Sequence, residues 1–128
     1  MKKALWLAPL ALLAACKEAP VMEIINPDRV WHLQEIDGAP FGDTATIAFP
    51  KEGEAYGKAP CNQWFTTLEA PLPAFKPGPI GATMMACENL DQERVFFNAL
   101  ERATKVEVTA EALQLLDDSG VIMVFTPE

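Results

Sequence analysis

The chain has 128 residues, half of them apolar, with 10 basic and 18 acidic side chains and a net charge of −8. That length suits one small domain and not two, and the apolar share is too high for a disordered chain. So negative a surface repels phosphate backbones and makes nucleic acid a poor choice of partner, so none is expected. A single histidine (His32) and a single serine (Ser119) leave little from which to build a catalytic or metal-binding set.

Met1-Lys2-Lys3 is a basic start, followed by an apolar run from Ala4 to Leu13 interrupted only by Pro9. Ten helical residues span about 15 Å, half of a ~30 Å hydrocarbon core. Residues 1–15 therefore read as a signal peptide and not as a membrane anchor. Leu13-Ala14-Ala15-Cys16 resembles the lipobox of bacterial lipoproteins, in which the cysteine is acylated and becomes the new N-terminus. The alternative is an ordinary signal peptide with a small-residue cut site and an incidental cysteine. Several acyl chains on Cys16 would exceed what stable anchoring needs. Lys17, standing where an aspartate would retain the protein at the inner membrane, favours the outer membrane facing the periplasm. Losing residues 1–15 removes Lys2 and Lys3 and moves the net charge from −8 to −10. Residues 16–29 read as a lipidated tether, with Pro20 and Pro27 discouraging helix. Val21 to Ile25 within it has the composition of an edge strand.

The folded domain is assigned to residues 30–128. Val30 to Ile36 reads as a strand with Trp31, Leu33 and Ile36 inward, ended by the turn signal Asp37-Gly38. Ala45 to Phe49, Glu54 to Gly57 and Asn62 to Leu68 read as further strands, the last with Trp64 and Phe65 on opposite faces. Pro71, Pro73, Pro77 and Pro79 then demand a loop or an edge segment. Asn89 with Gln92 has the spacing of a capping box. Asp91 and Glu93 suit the positive first turn of the helix that follows, and Arg102 and Lys105 its negative end. Phe96, Phe97, Leu100 and Ala103 would form its apolar face. Val106 to Thr109, Ala112 to Leu116 and Val121 to Phe125 complete the strands, the last two joined through Asp117-Asp118-Ser119-Gly120. Roughly six to eight short strands and one helix predict a mainly β (α+β) domain. Its form would be a small antiparallel barrel-like or strongly coiled sheet with the helix packed on it, a two-sheet sandwich being the runner-up.

With Cys16 assigned to lipid, Cys61 and Cys87 remain. In an oxidising compartment an even remainder suggests one disulfide, worth roughly 3–4 kcal/mol for a loop of about 27 residues. Two buried free thiols are the rival reading. No CxxC spacing supports redox chemistry, and two cysteines with one distant histidine make a poor zinc site. Asn62 could present its amide to a ligand beside the cysteines, or satisfy local backbone groups. Met84 and Met85 would point to opposite faces of a strand, one into the core and one outward, where a methionine makes an adaptable contact surface. Thr44, Thr46, Thr66 and Thr67 read as exposed strand positions. Asn62, Trp64 and Met84 are the candidate binding residues. No catalytic residue, metal site or cofactor is expected.

The ordered series Trp31-x-Leu33-x-x-Ile36-x-Gly38, Gly57-x-x-x-Cys61-Asn62 and Thr83-Met84-Met85-Ala86-Cys87 resembles the META domain family, which includes the HslJ-type heat-shock lipoproteins. Phe97-x-x-Ala99-Leu100 and Leu113-x-Leu115-x-Asp117-x-x-Gly120 extend the likeness over roughly residues 30–126. The chain departs from the family at Pro60, Gln63 and Met84, where glycine, arginine and arginine are common. The resemblance implies a mainly β, envelope-associated, stress-related domain with no established catalytic activity. The reading that follows is a monomeric, non-enzymatic module. It would be held at a membrane by lipid on Cys16 and bind an envelope protein. The alternative is an inhibitor of an envelope-attacking hydrolase, a lysozyme or protease, for which acidic charge would speed association with a basic target.

Overall fold

The computed structural model describes residues 25–127. The segment read as a signal peptide, Cys16 and the first part of the segment read as a tether lie outside them. Ile25, within the segment read as tether, is fully buried in the core, and Arg29 stacks its guanidinium over Trp31 at 5.4 Å.

Among the described residues nine strands and one helix follow in chain order. Strand β1 (Trp31–Ile36) turns through Asp37 and Gly38 into β2 (Ala39–Pro40). Both turn residues have positive φ, 51° and 78°, the combination a two-residue hairpin needs and the reason for the Asp-Gly pair. Next come β3 (Thr46–Ile47), β4 (Glu54–Lys58), β5 (Gln63–Thr67) and β6 (Gly81–Ala82). Helix α1 (Leu90–Arg102) precedes β7 (Lys105–Val108), β8 (Leu113–Asp117) and β9 (Gly120–Pro127). All pairings are antiparallel. The first sheet has the order β2-β1-β9-β8-β7, with β3 also on β1, and the second has the order β4-β5-β6.

Single bridges stitch the two sheets into one coiled wall. Ala48, just past β3, exchanges both backbone hydrogen bonds with Tyr56 of β4. On the opposite side the proline-rich segment reaches both sheets. Phe75 N donates to the Thr104 carbonyl, Val106 N donates to the Pro73 carbonyl, and Glu69 and Gly78 tie the same segment to the end of β5. Proline lacks the N–H a ladder requires, so this segment closes the wall by isolated contacts. The expected coiled, mainly β architecture with one helix is the observed one; the wall is not a continuously bonded barrel.

The interior is filled by the longer strands, β3 and the helix, with β2 and β6 adding nothing to it. Trp31, Ile47, Phe49, Trp64, Leu113, Leu115, Met123 and Phe125 are all buried. Helix α1 covers one opening, turning Phe96, Ala99 and Leu100 inward, and Phe96 meets Trp64 edge-on at a centroid distance of 5.8 Å. The helix differs from its sequence reading in two ways. Phe97 is only half-buried, and its inward position is taken by Ala99. Asn89 occupies the N-cap but makes no side-chain cap. Its amide donates instead to Asp43 Oδ2 and to the Pro60 carbonyl, each at 2.9 Å.

Thr46 and Thr66 are buried, not exposed as expected. Thr46 Oγ1 accepts from Lys58 N at 2.8 Å, and its carbonyl accepts from Trp64 Nε1 at 3.2 Å. The close approach of β3 to β4 that permits this depends on Gly57, because a Cβ there would run into the Thr46 carbonyl. Gly57→Ala is expected to lower stability by about 2 kcal/mol, the usual cost of forcing packed backbone apart. Denaturant unfolding reads it, and an unchanged midpoint would show that the strands have room to separate.

Asp117, at the end of β8, accepts from the Ser119 hydroxyl and from Ser119 N. These bonds hold its carboxyl below the usual carboxylate range. A depressed carboxylate stabilises the fold above its ordinary titration range and loses that contribution as pH falls through the lowered value. Ser119→Ala is therefore expected to move Asp117 back up toward the ordinary value, followed by NMR titration of its side-chain carbon.

Candidate functional site

The cysteine-asparagine motif and the helix start form one locked corner. The β4–β5 hairpin tip, Ala59 to Asn62, is closed by Ala59 N donating to the Asn62 carbonyl at 2.7 Å. Cys61 is bonded to Cys87, with Cα atoms 5.9 Å apart, which ties the tip to the segment entering α1. The disulfide suggested by parity is thus formed. The buried carboxylate of Glu93 reaches up from the first turn of α1. Its Oε1 accepts from Asn62 N at 2.7 Å and Cys61 N at 3.3 Å, and its Oε2 from Asn62 Nδ2 at 2.9 Å. Asn62 Oδ1 in turn accepts from Met85 N at 2.7 Å and from the Thr83 hydroxyl at 2.9 Å. Thr83 Oγ1 also accepts from Gln63 N at 3.1 Å. One asparagine and one glutamate therefore hold three separate stretches of chain together, joining the Cys61-Asn62 pair to the run from Thr83 to Cys87 and to the first turn of α1.

This geometry distributes the three candidate binding residues differently. Asn62 is 5 % exposed and its amide is engaged within the corner. Trp64 is 1 % exposed, with its indole N–H donated to Thr46. Met84 stands out in solvent at 98 % exposure, and Met85 is exposed as well. The expectation that one of the two methionines is core is corrected: residues 83–87 are not a strand, so alternation does not apply. Their backbone is what the corner uses. Glu93 escaped the sequence reading because an acidic residue in a first helical turn already has a sufficient explanation in the helix dipole.

A second feature lies on the outside of the β4–β5 hairpin. A groove of about 770 Å³ opens there, bordered across from the hairpin by Val30 and His32. Its floor is an ordered array. Tyr56 faces Phe65 across the strands, flanked at one end by Glu54 and Thr67 and at the other by Lys58 and Gln63. Period-two alternation puts these six on one side, because their neighbours Ala55, Trp64 and Thr66 point into the core. Phe65 is 61 % exposed, and its ring occupies the space where Gly81 of β6 would carry a Cβ. The outward orientation of Phe65 was legible from its position beside Trp64; its partner Tyr56 and the glycine beneath it were not.

Among the described residues no group of three or more His, Cys, Asp or Glu side chains is placed to hold a metal ion. The fold and the locked corner define a small disulfide-linked α+β domain with a coiled sheet. The chain belongs to the META domain family, whose profile matches residues 23–128. The META domain is not known as an enzymatic family. Two solved structures share the fold. An NMR structure of a protein from Burkholderia xenovorans aligns with a TM-score of 0.61 at 22% identity, over 84% of this chain and 86% of that one. A second NMR structure aligns with a TM-score of 0.58 at 17% identity, over 78% and 89%. No curated protein matches the chain.

Proposed function

We propose that this protein is a non-enzymatic binding module of the bacterial cell envelope, anchored by lipid on Cys16 and facing the periplasm from the outer membrane. The observation that carries the reading is the pairing of Cys61 with Cys87 in a chain that opens with a lipobox-like Leu13-Ala14-Ala15-Cys16. Structural disulfides persist in oxidising compartments outside the cytosol, the destination that such an address specifies. A binding role, and not catalysis, is supported by the chemistry at hand. Ser119, the chain's one serine, spends its hydroxyl on Asp117 in a hairpin connection. The groove on the β4–β5 hairpin is open, with an aromatic floor, a shape suited to holding a ligand.

Intact mass of the protein recovered from bacterial membranes, with and without reductant, tests the anchor and the crosslink together. The expected mature species begins at Cys16, carries acyl mass, and gains two hydrogens on reduction. Cys16→Ala is expected to leave the membrane fraction. A variant that stays membrane-bound, or a wild type whose Cys16 carries no lipid, overturns the proposal.

A further inference from the structure

We infer that the groove on the β4–β5 hairpin is a glycan platform, taking an uncharged or N-acetylated oligosaccharide across Tyr56 and Phe65. The inference deepens the reading above as a binding module but depends on the groove alone and not on the lipid anchor.

The first support is the attitude of Phe65. The outer end of its ring lies over Gly81 of the neighbouring strand, so the side chain leans across the sheet while staying 61 % exposed. A protein partner's hot spot is commonly a pocket that swallows a side chain. An aromatic ring laid across neighbouring strands and open to solvent instead suits a ligand that stacks. The negative face of an aromatic ring attracts the polarised C–H groups on the apolar side of a sugar, just as it attracts the edge of another ring.

The second support is the polar ends. The Tyr56 hydroxyl, Lys58 ammonium, Gln63 amide and Thr67 hydroxyl hydrogen-bond to no other described residue, and they stand within one or two residues of the aromatic pair along each strand. An apolar partner laid over them would bury donors and acceptors unpaired, at about 1–3 kcal/mol each by the usual scale. A hydroxyl-rich ligand pairs with them at both ends of the stack. Along β4 from Glu54 to Lys58 the array runs about 13 Å, from the ordinary rise of a strand, long enough for a short oligosaccharide.

The third support is charge. Stacking alone would also accept nucleobases, yet the chain carries −8, and Glu54 and Lys58 leave the groove itself balanced. A polyanion gains nothing here, whereas an uncharged glycan is indifferent to the field.

The test uses the full-length protein in detergent, titrated with tetra-N-acetylchitotetraose and with cellotetraose and followed by NMR shifts. The expected result is saturable binding of at least one of them with Kd on the order of 0.1–1 mM, with shifts at residues of β4 and β5. Phe65→Ala should weaken it about tenfold or more, the loss seen when an aromatic stacking partner is removed. Phe65→Tyr should retain it, and Val95→Ala, an exposed apolar residue of α1 outside the groove, should leave it unchanged. Because Phe65 points to solvent, Phe65→Ala is expected to fold, and its spectrum without sugar checks that. No binding of either sugar up to roughly 10 mM, binding indifferent to Phe65→Ala, or saturable binding of apolar peptides in the absence of sugar binding overturns the inference. None of these results bears on the mass and fractionation of Cys16, so the two proposals fail separately.

Discussion

Replacing Glu93 by alanine is expected to cost about 3 kcal/mol, the scale on which breaking a buried charged hydrogen-bond network destabilises a fold. The carboxylate accepts from two backbone N–H groups and one side-chain amide. Removing it leaves Asn62 N, itself buried, without an acceptor. Glu93→Gln is the sharper variant, because it keeps volume and shape. A glutamine has one acceptor oxygen where the glutamate has two. Whichever way its amide is turned, an NH₂ faces either the Cys61 and Asn62 backbone donors or the Asn62 amide. Rotating Asn62 to compensate would point its own NH₂ at Met85 N, which now donates to Oδ1. No arrangement satisfies all donors, so Glu93→Gln should also lose about 2 kcal/mol. Denaturant unfolding of the disulfide-intact proteins measures both. A Gln variant as stable as the wild type would mean that water replaces the carboxylate and that the corner is not closed to solvent.

The second large effect is expected from the crosslink. Cys61 and Cys87 are 26 positions apart, for which the chain-entropy relation gives about 3.5 kcal/mol at room temperature. A domain of this size has a total stability of roughly 5–15 kcal/mol, so Cys61→Ser with Cys87→Ser should leave a protein that folds with a much lower unfolding midpoint. The two large effects share the same hairpin tip, since Glu93 accepts from Cys61 N. Their combination should therefore differ from the sum of the separate losses, as expected for residues in one network. If the triple variant is strictly additive, the disulfide and the glutamate stabilise the fold independently and the corner is not a unit.

Much of this architecture was legible locally. The strand after Gln63 shows its two faces in the alternation of Trp64 and Phe65, and burial follows it. Asp37-Gly38 announces a hairpin turn because few residue pairs tolerate two positive φ angles. The run of prolines ruled out a central strand, and the segment indeed touches both sheets only by isolated bonds. The helix was readable in its extent, less so in its face, since Ala99 is buried where Phe97 is only half-buried.

Other features have no local signature. Glu93 looks like any first-turn acid until the β4–β5 tip is folded against it. Asn89 looks like a cap until Pro60 and Asp43 arrive to use its amide. Pairing of β1 with β9 joins the two ends of the domain, and the groove exists only where β3 hands the wall over to β4. The amino-acid order by itself determined the mainly β class, the turns, the faces of the longer strands and the candidate address at Cys16, because each follows from backbone torsions, side-chain periodicity or a contiguous motif. The tertiary structure alone decided the buried Glu93–Asn62 corner and the aromatic floor that reaches over Gly81. Both arise from donors, acceptors and empty space contributed by segments far apart in the chain, and such complementarity is not encoded in any one of them.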